Sequence, residues 1–186
     1  LLLGAPFSQY AKVELALARG YRFGLDDEQA VAVRLLAGIG QAYGNSTALP
    51  YEKQFYAGGA SSMRGWQTRS LGPGWSPLDK TFSIPSQTGD FKLEADIEYR
   101  FPMFWLLEGA LFAEAGNVWD TVQGIDLGAV AADYGLGLRL NMNILLIRID
   151  MGVRLRDPAS EQRWLDPLSA FKTGGFAVHF GVGYPF

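Results

Sequence analysis

Arg64 is the side chain whose surroundings most suggest chemistry. It stands in the run Tyr56-Ala57-Gly58-Gly59-Ala60-Ser61-Ser62-Met63-Arg64-Gly65-Trp66, followed by Leu71-Gly72-Pro73-Gly74. Glycines on both sides permit tight turns, so one guanidinium can be presented at the tip of a narrow hairpin and folded back into an interior. A guanidinium stays charged and offers five donors in a planar fork, so it can grip one carboxylate twice and still reach another. Lysine lacks that geometry. Nucleophilic and metal chemistry find much less. The chain has no cysteine and one histidine, His179, which excludes a disulfide frame, thiolate metal sites and centres built from several imidazoles. A hydrolase set of His179 with Asp150 or Asp133 and a serine can be drawn. No Gly-x-Ser-x-Gly elbow accompanies it, and His179 reads better as a satisfied residue of a polar interior. No cofactor, metal or enzymatic activity is expected.

The elements that must position Arg64 are strands. Phe91 to Phe101 alternates strictly, with Phe91, Leu93, Ala95, Ile97, Tyr99 and Phe101 on one face and Lys92, Glu94, Asp96, Glu98 and Arg100 on the other. Period two over this length is a strand with two chemically opposite faces. The pattern recurs from Ile147 to Leu155. It recurs again at the end, where Phe176, Val178, Phe180, Val182, Tyr184 and Phe186 alternate with small or polar residues. Weaker alternation marks Lys12–Phe23, Val31–Gly40, Leu107–Trp119 and Tyr134–Asn141, for seven strands in all. These exceed the five or six residues usual in soluble proteins and suit a tilted crossing of a hydrocarbon layer. Connections alternate short and long, with the longest from Gly44 to Asp90, as in outer-membrane barrels with short turns on one rim and long loops on the other. A connection of that length is expected to carry function. Aromatic residues fall at both strand ends: Phe91, Trp119, Tyr134 and Phe176 on the long-loop rim, and Tyr21, Phe23, Tyr99, Phe101, Tyr184 and Phe186 on the other. Rings there settle at headgroup level. The competing reading is a soluble sandwich or lipocalin-like barrel whose apolar face is its core.

Composition agrees with the membrane reading. The 186 residues carry 16 basic and 19 acidic side chains, a net charge of −3 and 48% hydrophobic residues, which excludes a disordered polymer and a basic nucleic-acid-coating protein. The longest uncharged run, Leu35 to Tyr51, is broken by Gln41, Asn45, Ser46 and Thr47, so no membrane-spanning helix is expected. The first residues form no signal peptide, and the chain is expected to come from a longer precursor. Seven strands do not match the even numbers of single-chain bacterial barrels. Either Leu1–Phe7 supplies an eighth strand or upstream strands complete the wall.

The ordered motifs resemble one family. They are Gly58-Gly59 before Met63-Arg64-Gly65-Trp66, Ile97-Glu98-Tyr99-Arg100-Phe101-Pro102, Phe112-Ala113-Glu114-Ala115-Gly116-Asn117-Val118-Trp119, a Gly-x-Gly-x-Arg strand from Gly135 to Arg139, Arg148-Ile149-Asp150, and a terminal Phe186. Together they make residues 9–186 similar to the C-terminal barrel half of outer-membrane-protein assembly factors of the BamA and TamA type, the bacterial surface antigen domain. Glu114 stands where that family usually has Asp, and Trp66 where Phe or Tyr is commoner.

The resemblance implies an all-β, antiparallel transmembrane β-barrel portion over residues 1–186, about seven or eight strands of a 16-stranded barrel, with a lumen-directed loop at 44–90. It implies residence in the outer membrane of a Gram-negative-type cell and assembly or insertion of other barrels. Its partners would be outer-membrane lipids, unfolded client proteins, accessory lipoproteins, and the upstream strands and periplasmic domains of the same precursor. Met63, Arg64, Gly65 and Trp66 would be the loop motif. On the period-two register Glu98 and Glu114 face inward on neighbouring strands, and with the resemblance they become the expected partners of Arg64. The last strand, through Phe176, Val178, Phe180, Val182, Tyr184 and Phe186, would carry the assembly signal and form one side of a lateral gate. A related translocation pore shares the loop motif and is the nearest alternative, followed by a small structural barrel or a barrel hydrolase.

Overall fold

The computed structural model describes residues 7–78, 87–142 and 144–186. Seven strands follow the alternating segments: β1 (Tyr10–Phe23), β2 (Gln29–Ala42), β3 (Phe91–Pro102), β4 (Leu107–Trp119), β5 (Ala131–Asn141), β6 (Leu146–Arg156) and β7 (Phe176–Val182). One short helix, α1 (Pro167–Thr173), precedes β7. The strands form one antiparallel sheet in chain order. All but Phe7 of the segment considered for an eighth strand lies outside the described residues.

The two faces of the sheet are opposite in kind. On β3 the side chains of Lys92, Glu94, Asp96 and Glu98 are buried, whereas Ile97 between them is 48% exposed. Asp133 and Arg139 on β5, Arg148 and Asp150 on β6 and His179 on β7 are likewise buried, while Leu136, Leu138, Ile149 and Phe180 face outward. A water-soluble fold does the reverse. The reading as a soluble sandwich with an apolar core is therefore wrong, and the arrangement is that of part of a membrane β-barrel. No helix among the described residues is long and apolar enough to cross a membrane. The crossing elements are strands.

The long connection after β2 folds onto the polar face. Its ends are tied by Gly40 N–H to Asp90 O at 2.7 Å and by paired bonds between Phe55 and Gly89. It brings its own small apolar core, in which Phe55, Ala57, Met63, Trp66 and Leu71 pack with Val118 and Ala131. The interior is thus ionic near the middle of the strands and oily under the loop, a division that the strand pattern alone does not predict.

Three departures from the sequence reading have local causes. β7 has 7 residues and ends at Val182, because Gly183 adopts φ +81° and turns the chain off the sheet. Trp119 is buried rather than presented at the rim: its indole N–H donates to Asp126 O at 3.2 Å and its ring lies 5.8 Å from Phe91. β1 is exposed along both faces, since among the described residues it has β2 on one side and no strand on the other.

Candidate functional site

The tip of the long loop is a β-turn in which Trp66 N–H donates to Met63 O at 3.0 Å, with Arg64 and Gly65 at its centre. The turn is approached through Gly58 (φ +96°) and Gly59 (φ +123°), conformations that disfavour a side chain. Gly65 is needed for another reason. A Cβ there would lie 2.7 Å from Cβ of Asp133, so the tip sits against β5 with no space for a methyl group.

Arg64 is fully buried. Its Nη1 donates to Glu98 Oε2 and its Nε to Glu114 Oε1, each at 2.7 Å, and its backbone N–H also donates to the Glu114 carboxylate. Asp150 Oδ2 is 3.5 Å from Nη1. The guanidinium carbon lies 3.5 Å from the centre of the Phe112 ring, a cation–π contact that supports a desolvated charge. Burial opposes ionisation of Arg64, but Glu114, Glu98 and Asp150 outweigh it and hold its pKa above the ordinary arginine value. The group is a permanent cation.

The strands bring these carboxylates together through register. Asp96 pairs with Glu114 and Glu98 with Phe112 across β3 and β4, so Glu98 and Glu114 reach the same point from adjacent strands. The network then spreads. Arg139 Nη2 lies 2.8 Å from Glu98 Oε2 and 3.4 Å from Asp150 Oδ1, Arg100 Nε pairs with Glu98 Oε1 at 2.7 Å, and Arg148 pairs with Asp150. Charge-assisted bonds of this kind are strong, and breaking one by removing a partner leaves a buried charge uncompensated. Asp133, which faces Glu114 in register, is buried beside these groups.

The flanks of the tip are held as well. Arg148 donates to Ala60 O at 2.7 Å and Ser61 Oγ at 2.9 Å, and Ser62 Oγ donates to Glu94 Oε2 at 2.9 Å. Arg154 Nε donates to Gly65 O at 3.0 Å, with its guanidinium 5.1 Å from the Trp66 ring. His179 on β7 donates from Nε2 to Arg64 O at 3.1 Å.

Gly152 is a site residue that the sequence argument did not single out, and Phe112 and Arg139, though quoted in its motifs, were not expected at the Arg64 cluster. At Gly152 a Cβ would come within 2.3 Å of the Arg64 carbonyl carbon. Its signal was a glycine interrupting the inward row Arg148, Asp150, Arg154.

The residues expected to form a gate divide into two groups. Phe176, Val178, Phe180 and Val182 lie on the outer face of β7, at 37%, 52%, 66% and 62% exposure. Tyr184 and Phe186 do not continue that row. Beyond Gly183 the chain crosses to the polar side, where Arg100 lies over the Tyr184 ring at 4.1 Å and donates to Phe186 O at 3.1 Å. The Phe186 ring meets Arg34 at 4.8 Å, and Tyr184 Oη donates to Glu108 Oε2 at 3.2 Å. The outward alternation is lost because one left-handed glycine reverses the direction of the residues after it.

Among the described residues no cluster of His, Asp and Glu side chains has the arrangement of a metal site. The site is a cation held among carboxylates, suited to fixing a segment in place. The model of the Omp85 superfamily domain matches residues 3–186. The outer membrane protein assembly factor BamA of Neisseria meningitidis serogroup B (strain ATCC BAA-335 / MC58) is 35% identical over 88 residues, which is 45% of this chain and 11% of that protein.

Proposed function

The chain belongs to the Omp85 superfamily and resides in the outer membrane of a Gram-negative-type cell, and from that premise we propose that it is the C-terminal barrel portion of a protein that inserts other β-barrels into that membrane. Residues 1–186 form one unit of wall with the 44–90 loop directed into the lumen. The loop tip is a fixed internal strut: Arg64 holds it to Glu98 and Glu114, with Met63 and Trp66 packed beneath and Gly58, Gly59 and Gly65 shaping it. The observation that carries this reading is the complete burial of Arg64 between carboxylates of two strands.

The mechanism uses the end of the sheet. β7 is shorter than any of β1 to β6, and Gly183 withdraws Tyr184 and Phe186 from it. A short strand offers few ladder bonds to a neighbour, so its free edge separates readily and can template an incoming strand by main-chain pairing. The lumen strut keeps the remaining wall in shape while that edge opens. Clients are unfolded outer-membrane proteins. Accessory lipoproteins and the upstream strands and periplasmic domains of the precursor complete the machine, with upstream strands covering the bare edge of β1.

The test is insertion of an unfolded client barrel into proteoliposomes containing the full-length precursor. Cysteines joining Val178 to the facing first strand should abolish client folding under oxidation and restore it on reduction. Undiminished insertion with the seam fully crosslinked would overturn the gate, and client appearing inside the vesicles in soluble form would mark the protein as a translocation pore.

A further inference from the structure

The helix α1 lies in the connection between β6 and β7, on the long-loop rim, and packs on β6. Asp166 caps its start by accepting from Ser169 N–H at 3.0 Å, and Gly174 ends it in the left-handed conformation. Only Ala170 of the helix is buried. Leu168 and Phe171, three residues apart and so on one side of the helix, are 73% and 46% exposed.

Two observations fix which face of the sheet the helix occupies. The Phe171 ring lies 5.3 Å from the ring of Phe176, which heads the outward row of β7. Val153, also in an outward position on β6 and paired with Phe176, is only 5% exposed while Ile149 on the same face is 53% exposed. A cover therefore sits on the outer, lipid-facing side at this level, and α1 is the element packed there.

We propose that α1 is an interfacial anchor seated in the outer leaflet, continuing the lipid-facing wall of β6 and β7 over the rim. Leu168 and Phe171 enter the upper acyl region, and Lys172 extends its ammonium toward headgroup phosphates. The assignment to lipid rests on continuity: Phe171 extends the outward row of Phe176, Val178 and Phe180 without a break. The neighbouring surface has the composition of a headgroup zone. Arg156 lies 5.7 Å from the Trp164 ring and 5.8 Å from the Trp75 ring, and Arg163 lies 4.6 Å from the latter. Indole and guanidinium groups favour that depth. The anchor would hold the top of β7 in the membrane while its lower end departs from the sheet at Gly183.

The experiment is depth-resolved quenching. The sequence here has no cysteine, so Leu168→Cys and Phe171→Cys can be labelled singly with an environment-sensitive fluorophore in the full-length protein, with any cysteine elsewhere replaced. The protein is placed in phosphatidylcholine/phosphatidylglycerol vesicles. Phe180→Cys serves as the membrane reference and Glu161→Cys as the aqueous one. Labels at 168 and 171 should emit at shorter wavelength than at 161, be quenched several-fold more by lipids spin-labelled near the headgroup than by those labelled near the tail end, and resist aqueous iodide. Iodide quenching equal to that at 161 would overturn the proposal. So would protection from both quenchers, which would mean that another part of the protein or a second copy covers the helix.

Discussion

Nε2 of His179 lies 3.1 Å from the carbonyl oxygen of Arg64, so the loop tip is tied to the last strand as well as to β3 and β4. The carbonyl is buried with its residue, and removing the donor leaves it unpaired at about 1–3 kcal/mol. His179→Ala should lower the unfolding temperature of the full-length protein in detergent, read by the heat-dependent shift in gel mobility, and raise cleavage of the loop by trypsin. Unchanged values in both would show that the contact has no role in seating the tip.

Arg64→Ala should be more severe, since it exposes Glu98 and Glu114 to each other without their shared cation, at about 3–5 kcal/mol. Arg64→Lys should recover only part of this, because an ammonium cannot span both carboxylates. Combining Arg64→Ala with Glu114→Gln should cost less than the sum of the single changes, and the double-mutant cycle measures that coupling. Strict additivity would contradict the network.

Gly152→Ala tests close approach in isolation. The added methyl would stand 2.3 Å from the Arg64 carbonyl carbon, whereas at Gly20 no atom lies within 4 Å of the same addition. Gly152→Ala should displace the tip and raise protease cleavage between Gly58 and Trp66, while Gly20→Ala leaves it unchanged.

Most of the sheet was legible because a strand in a barrel wall is read by one rule, alternation, and each of the seven alternating segments is a strand. The motif loop was legible from its glycines. What alternation could not supply were contacts made across the interior. Arg139 and Phe112 sit on inward rows like many other residues, and the meeting of Phe112 with Arg64 and of Arg139 with Glu98 depends on curvature and register. Gly152 looked like one more small residue in a glycine-rich chain. Tyr184 and Phe186 misled because their spacing continued the pattern of β7, while the positive φ that ends it resides in Gly183 and leaves no trace in periodicity.

On the exposed side, Asp126 offers a pH-dependent readout. Its carboxylate accepts from the Trp75 indole at 2.8 Å and from Gly128 N–H at 2.7 Å, and these bonds, the indole first, hold its pKa below the ordinary aspartate value. A depressed folded-state pKa means that the contact is at full strength above about pH 3.9 and is lost as pH falls through the lower, folded value. Trp75 emission should therefore titrate with a midpoint below pH 3.9, and Asp126→Asn should remove that transition. A midpoint at or above the ordinary value would refute the contact.

The packing of the loop tip also joins parts of the wall that are far apart in the chain. The tip touches β3, β4, β5, β6 and β7 together, with partners 34 to 115 residues distant in the chain, and Arg100 on β3 reaches across to Phe186 beyond β7. Contacts this far apart in the chain carry a loop-closure cost that local ones do not, and the seat of the tip is complete only once β7, which holds His179, has joined the sheet.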